Sequence, residues 1–191
     1  MRTLERHPTG PKNSLQYWTS FVSPWRVAWN FAAIYLARFV PALSVKNALY
    51  RWRGMKVGRD VSVGLMAMFD VFFPEMITIG DNSVIGYNST MLGHEFMVKE
   101  WRRGPIVIGR NVVIGANTTI LPGVTIGDGA VVSAMSLVNR DIPAGAFAGG
   151  VPARVIGWLG ENGELVKGET AQVAQGRPPK EGLTKGPVER A

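Results

Sequence analysis

The chain has 191 residues, a net charge of +7 and no cysteine. Its length suits one domain with appendages, and the lack of cysteine excludes disulfides, thiolate metal sites and a cysteine nucleophile. The lack of disulfides also fits a reducing compartment such as the cytoplasm. The 23 glycines and 12 prolines predict many turns rather than long helices.

The positive charge is concentrated in the first third of the chain. Residues 1–60 contain ten lysines and arginines against two acidic residues, whereas residues 61–159 contain six against seven and residues 160–191 five against five. No nucleic-acid-binding motif accompanies this charge, so we expect no nucleic-acid partner.

Residues 1–56 are predicted to form an N-terminal tail and then a helical segment that is basic and rich in aromatic residues. Because proline suits the first turn of a helix and also ends one, Pro24 and Pro41 predict helices over Trp25–Val40 and Leu43–Arg53. The first twelve residues do not resemble a signal peptide, and we expect them to be mobile. Two roles stay open for the helical segment: it covers the end of the core, or its Trp, Tyr and Arg side chains contact a membrane surface.

A strict period of six residues marks the middle of the chain. Aliphatic residues, often followed by glycine, recur in two unbroken runs and one earlier fragment: Ile79, Ile85 and Met91; Ile108, Ile114, Ile120, Ile126, Val132 and Val138; and Val57 and Val63. Six residues suit a short strand and a sharp corner, so that three strands form a triangular coil and the coils stack on an aliphatic interior. We therefore predict an all-β solenoid, a parallel β-helix over residues 57–159 that includes a closing C-terminal segment. Solenoids of this repeat type are left-handed, against the general preference for right-handed crossovers.

The period fails twice, and each failure predicts a loop that leaves the solenoid. The intervals from Val63 to Ile79 and from Met91 to Ile108 are not multiples of six, so loops are expected over Leu65–Glu75 and Leu92–Ile106. Loops on a rigid scaffold commonly carry function. Residues 160–191 hold few large apolar side chains and are predicted to be a disordered tail.

His94, near the start of the second loop, is the strongest candidate for a catalytic residue. Imidazole is a natural base for a hydroxyl group. The chain has only one other histidine, His7, so the three-histidine zinc site found in some β-helix enzymes cannot be built. Because no spaced acidic cluster points to magnesium or calcium either, we expect no metal site.

Several features together resemble the hexapeptide-repeat O-acetyltransferases, and most closely the maltose, galactoside and nodulation-factor acetyltransferases. They are the ladder, the loop with His94, the repeats over residues 108–128 and the closing sequence from Gly149 to Ile156. The resemblance covers residues 57–157. It implies a homotrimer in which acetyl-CoA, the acyl donor, lies in a groove between neighbouring β-helices. The implied reaction is transfer of the acetyl group to a hydroxyl of a sugar or an envelope glycan.

The resemblance also assigns residues to the acyl donor and to catalysis. His94 matches the catalytic histidine, which takes the proton from the acceptor hydroxyl. Ala116 and Ala134 occupy corners whose backbone contacts the pantetheine arm of CoA. Arg140 and Arg154 match basic residues near the CoA phosphates, although each could equally be an ordinary surface charge.

Two acidic residues are candidates for binding the acceptor. Asp70 could accept a hydrogen bond from an acceptor hydroxyl or could orient His94. Glu95 is the weaker candidate, because an extended backbone would turn it away from the neighbouring His94.

The chain departs from the family at Val113, where an aromatic residue is common, and at Met135, where Ala-Gly-Ser is the usual sequence. Both changes could alter CoA packing. A non-catalytic β-helix that serves as a scaffold or binding module is the alternative to an enzyme, but retention of His94 and of the Val-Pro-Ala-Arg motif favours the enzyme. The expected location is the cytoplasm, with contact to the inner face of the membrane left open.

Overall fold

The N-terminal elements precede the repeats and form a strand and three helices. The computed structural model describes residues 2–160 and 164–166. Strand β1 (Glu5–Pro8) is followed by a 3-10 turn (Ser14–Tyr17) and by helices α1 (Trp18–Phe21), α2 (Pro24–Ala37) and α3 (Leu43–Trp52). The two longer helices therefore end earlier than predicted, α2 three residues and α3 one residue before the expected limits.

Short strands follow α3 along the described part of the chain, most of them two residues long. They are β2 (Lys56–Val57), β3 (Ser62–Val63), β4 (Met68–Phe69), β5 (Ile77–Ile79), β6 (Val84–Ile85), β7 (Thr90–Met91), β8 (His94–Phe96), β9 (Glu100–Arg103), β10 (Ile106–Ile108), β11 (Val113–Ile114), β12 (Thr119–Ile120), β13 (Thr125–Ile126), β14 (Val131–Val132), β15 (Leu137–Val138), β16 (Ala146–Gly150), β17 (Ala153–Leu159) and β18 (Leu165–Val166).

Parallel pairing of these strands forms the three sides of a β-helix. Sheet 1 contains β2, β5, β10 and β13; sheet 2 contains β3, β6, β11, β14 and β16; and sheet 3 contains β4, β7, β12 and β15. In each coil the chain runs from sheet 1 to sheet 2, to sheet 3, and back to sheet 1. We name the corners after the sheets that they join: edge 1–2, edge 2–3 and edge 3–1. Strands β17 and β18 extend sheet 2 in antiparallel fashion.

The aliphatic ladder forms the interior, as predicted. Ile108 lies in register between Ile79 and Ile126, and all three side chains are buried. Glycine follows the ladder residue because the next coil lies directly against that position: a Cβ on Gly115 would collide with the backbone of Ala134. The predicted parallel β-helix is therefore confirmed.

The first predicted loop is wrong in extent. Phe69, six residues after Val63, continues the ladder, and β4 pairs with β7, so the interruption is limited to residues 70–76. The prediction missed this coil because an aromatic residue takes an aliphatic position. The second loop ends at residue 105, since Ile106 already belongs to β10. Of the predicted tail, residues 161–163 and 167–191 lie outside the described residues.

Helix α3 closes the open end of the β-helix with side-chain donors. Many strand amides of each coil donate to carbonyls of the next coil, for example Gly58 to Ile79, and the equivalent carbonyls of the first coil have no preceding coil to donate to them. The donors come instead from Lys46 Nζ to Val63 and Gly64 (both 3.1 Å), Asn47 to Val61 (2.8 Å), and Arg51 to Val57 (2.8 Å) and Gly58 (2.7 Å). Burial lowers the pKa of Lys46. Of the two roles left open for the helical segment, these bonds support covering the end of the core.

Candidate active site

His94 lies at edge 3–1 and is bonded to the carboxylate of Asp70. Asp70 directly follows β4 and His94 follows β7, and because these strands are neighbours in sheet 3 the two side chains meet. His94 Nδ1 lies 2.5 Å from Asp70 Oδ2. The Asp70 side chain is fully buried, and that of His94 is 12% exposed. A carboxylate accepting at Nδ1 places the imidazole proton there, which leaves Nε2 free to accept a proton.

The backbone holds Asp70 in place through its second oxygen. Asp70 Oδ1 accepts hydrogen bonds from the amides of Phe72 (2.8 Å) and Phe73 (3.0 Å). Both carboxylate oxygens are therefore engaged within the protein. Of the two roles predicted for Asp70, this geometry supports orienting His94 and not bonding an acceptor hydroxyl.

Aromatic rings surround the imidazole of His94. The ring centroids of Phe72 and Phe96 each lie 4.7 Å from that of His94, and the centroid of Phe73 lies 5.8 Å away. The rings limit access of water to the imidazole, which strengthens its bond to Asp70.

A small antiparallel sheet carries His94 and brings in the N-terminus. Its strand order is β1-β9-β8, with His94 opposite Arg103 and Glu95 opposite Arg102, which in turn lies opposite Arg6. The expectation of a mobile N-terminus is wrong for these residues. His7 stacks on Trp101 at 4.3 Å between ring centroids, and Pro8 is tolerated because β1 is an edge strand.

Alternation along the strands gives this sheet two different faces. One face carries His94, Phe96 and Trp101 toward the aromatic rings. The other carries Glu95, which pairs with Arg2 at 2.7 Å. Glu95 thus points away from His94.

A basic cavity of about 460 Å³ lies on the second face of the small sheet. It is lined by Arg2, Leu4, Arg6, Arg102, Asn139, Arg140 and Asp141. Arg2 is paired with Glu95, and Arg102 with Glu100. Four guanidinium groups around one cavity suit an anionic ligand, since arginine binds carboxylate and phosphate through paired hydrogen bonds. Arg140, at edge 3–1, is the one member of this set that the sequence predicted.

The remaining predicted residues lie at edge 2–3. Ala116 and Ala134 occupy equivalent corners of successive coils, joined by a hydrogen bond of 2.9 Å from the amide of Met135 to the carbonyl of Ala116. Arg154 lies opposite Gly149 in the β16–β17 hairpin beside the same corner and is exposed. A single chain therefore brings together His94, Asp70 and Arg140 at one edge, and places Ala116, Ala134 and Arg154 at another.

Two family models match the repeats: "Bacterial transferase hexapeptide (six repeats)" over residues 105–140 and "Hexapeptide repeat of succinyl-transferase" over residues 76–93. YvoF of Bacillus subtilis, which is provisionally named an acetyltransferase, is 51% identical over 157 residues, which is 82% of this chain and 91% of YvoF. The chain belongs to the hexapeptide-repeat acetyltransferases.

Solved structures of this family share the fold. A galactoside acetyltransferase in complex with coenzyme A has a TM-score of 0.58 and 27% identity, covering 73% of this chain and 83% of that one. A Vibrio cholerae hexapeptide-repeat acetyltransferase complexed with acetyl-CoA has a TM-score of 0.59 and 24% identity, covering 72% and 88%. The β-helix is accordingly left-handed, and the chain is an acyltransferase and not a non-catalytic scaffold.

In this acetyltransferase, most residues that line the basic cavity could not be identified from the sequence. No recognisable motif contains Arg2, Arg6 or Arg102. They come near Arg140 only because β1 pairs with β9.

The two departures from the family both lie on the surface, at edge 2–3 or beside it. Val113 is 40% exposed, and Met135 is 67% exposed with a φ of 59°. Among the described residues, no group of three or more His, Asp or Glu is placed to hold a metal ion.

Proposed function

We propose that this acetyltransferase moves an acetyl group from acetyl-CoA to a hydroxyl of a sugar or an envelope glycan, with His94 as general base. The observation that carries the proposal is the hydrogen bond between buried Asp70 and His94 Nδ1. It fixes the tautomer in which Nε2 accepts a proton. Such pairs of a carboxylate and an imidazole recur wherever a hydroxyl must be deprotonated as it attacks a carbonyl.

In the proposed reaction His94 Nε2 takes the hydroxyl proton as the acceptor oxygen attacks the thioester carbonyl. The tetrahedral intermediate then collapses, the C–S bond breaks, and the thiolate of CoA receives the proton from Nε2. Both substrates meet in one site, so no acyl-enzyme forms and positioning supplies much of the rate. A backbone N–H is the donor that we propose for the oxyanion.

The distribution of the predicted CoA residues over two edges supports a homotrimer. His94, Asp70 and Arg140 of one chain would face Ala116, Ala134 and Arg154 of its neighbour across a groove. The phosphates of CoA would bind near Arg140 and Arg154. Cyclic symmetry repeats the same head-to-tail contact three times and so forms three equal grooves. We propose the cytoplasm as the location.

Binding of CoA by the wild-type chain tests the donor part of this proposal. Isothermal titration calorimetry is expected to show binding, and Ala134→Trp is expected to weaken it about tenfold or more, because the indole would fill the groove. Ala144→Trp is the matched control. Ala144 is also exposed and lies against a glycine of the preceding coil, but at edge 1–2. Absence of CoA binding by the wild type at high micromolar concentration would contradict the proposal.

Mixed trimers test whether the active site is shared between chains. Chains with His94→Ala and chains with Ala134→Trp, carrying different tags, are co-expressed and purified through both tags. With acetyl-CoA well below its Kd for the Ala134→Trp variant, each homotrimer is expected to have about one tenth of wild-type activity or less. Each mixed trimer has one groove with both residues intact, so about one third of wild-type activity should return. Thiol release from acetyl-CoA with a panel of sugars measures it. Mixed trimers as inactive as their parents would place the whole site in one chain.

A further inference from the structure

The polar side chains of helix α2 contact the rest of the protein. Only two of its 14 residues, Arg26 and Asn30, are charged or carry a side-chain amide. Asn30 is 1% exposed, donates to the carbonyl of Val71 at 2.8 Å and accepts from Arg53 at 2.8 Å. Arg26 pairs with Glu75 at 2.6 Å. Both polar side chains are therefore turned toward the rest of the protein.

The outward side of the same helix is apolar. Trp25, Trp29 and Leu36 lie on one side of the helix and are 78%, 61% and 63% exposed. Phe31 stacks on Tyr35 (5.2 Å between ring centroids) and Tyr35 contacts Phe39 (5.4 Å). Together these exposed side chains form what we call the aromatic face: Trp25, Trp29, Phe31, Tyr35, Leu36 and Phe39. An apolar patch of this extent normally marks a binding surface. The helix thus leaves its large aromatic side chains in water and buries Asn30 together with Ala33, Ile34 and Ala37.

Two arginines lie beside helix α2. The guanidinium of Arg38 lies 5.6 Å from the ring centroid of Tyr35, and that of Arg53 lies 4.7 Å from Trp52 and bonds Asn30. Both give this side of the protein a positive charge. A second copy that presented this same surface would be repelled, whereas an anionic surface would be attracted.

We propose that the aromatic face binds the surface of an anionic lipid bilayer. Tryptophan and tyrosine beside arginine is the composition of helices that lie in the lipid headgroup region. With 14 residues α2 lies along the surface, since no helix in residues 2–160 and 164–166 is long and apolar enough to cross a bilayer.

The position of α2 connects this surface to the active site. Val27 at its start belongs to one hydrophobic cluster with Phe72 and Phe73, the residues that flank His94. Bilayer binding would hold His94 close to the membrane and so favour a membrane-borne hydroxyl acceptor. This last step rests on the proposed function, while lipid binding itself does not.

Vesicle co-sedimentation of the full chain tests the proposal. We expect binding to vesicles of phosphatidylcholine with phosphatidylglycerol, and binding about tenfold or more weaker to phosphatidylcholine alone, with the difference reduced by salt. The double variant Trp25→Gln, Trp29→Gln should lose binding by a similar factor. Tyr87→Gln, which removes a 54% exposed aromatic ring on the β-helix, should bind like wild type.

Two results would overturn the proposal. The first is wild-type protein that stays in the supernatant with anionic vesicles. The second is a double variant that binds as well as wild type while thermal unfolding shows both to be folded. If the wild-type protein does not bind vesicles but forms a larger assembly, and the double variant does not form it, the aromatic face binds a second copy of the chain instead of lipid. Calorimetry with CoA in the absence of lipid separates these outcomes from failure of the proposed function.

Discussion

Replacing His94 by alanine is expected to lower kcat for acetyl transfer by about 10²- to 10⁴-fold, the usual contribution of a general base. Nε2 is the proton acceptor that the bond to Asp70 leaves free, whereas the other histidine, His7, lies two strands away in the small sheet and stacks on Trp101. CoA affinity measured by calorimetry should stay unchanged, because the imidazole acts on the acceptor. Thiol release under saturating acetyl-CoA measures kcat.

The alanine variant also leaves the buried carboxylate of Asp70 without its partner, which can destabilise the protein. His94→Asn is the control for this effect, since an amide N–H can still donate to Asp70 but cannot accept the proton. Both variants should be equally slow, and only the alanine variant should unfold at lower temperature. An asparagine variant with wild-type kcat would remove His94 as the base.

Asp70→Asn is expected to lower kcat by about 10²- to 10⁴-fold while the KM for acetyl-CoA stays constant. The asparagine oxygen can keep both bonds from the amides of Phe72 and Phe73, so the loop should stay folded. The new amide group would donate to His94 Nδ1, which moves the imidazole proton to Nε2. The base would then be in the wrong tautomer.

Nitrogen NMR of the imidazole gives a readout that a purely structural role of Asp70 would not change. The chain has only two histidines, so assignment is simple. The proton on His94 should be on Nδ1 in the wild type and on Nε2 in the variant. Asp128→Asn is the matched control: this carboxylate also accepts from a backbone amide, that of Arg110 at 2.8 Å, but is exposed. An unchanged tautomer in Asp70→Asn would contradict the positioning role.

The β-helix could be predicted because its signal is local and repeated. Each ladder residue buries one side chain in the same environment, so one period describes many coils. Phe69 was not recognised as a ladder residue because an aromatic ring fills a position that aliphatic residues occupy in the other coils. Strand β1 could not be predicted at all, since its pairing joins Glu5 to Arg103 across the whole first half of the chain.

A residue of the candidate site could be predicted where both its chemical type and its position relative to the repeats indicated a function. His94 was identified by its residue type and its loop, and Asp70, inside the first predicted loop, by comparison with the family that the chain resembles. The partnership between them depends on the stacking of β4 beside β7. The basic cavity depends on β1 meeting β9, and arginines without a motif give no signal of that pairing. The apolar outer side of α2 likewise could be recognised only from the exposure of its rings and from the contacts of Asn30 and Arg26.

The two-faced sheet makes the chemistry of edge 3–1 depend on strand register. A slip of one residue in β8 would exchange the faces, so that the carboxylate of Glu95 would enter the aromatic surroundings and the imidazole of His94 would turn toward Arg2 and Arg102. The ion pair of Arg2 with Glu95 opposes such a slip directly, and the stack of His7 on Trp101 fixes β9, the strand with which β8 pairs. The first eight residues therefore help to hold His94 on its side of the sheet.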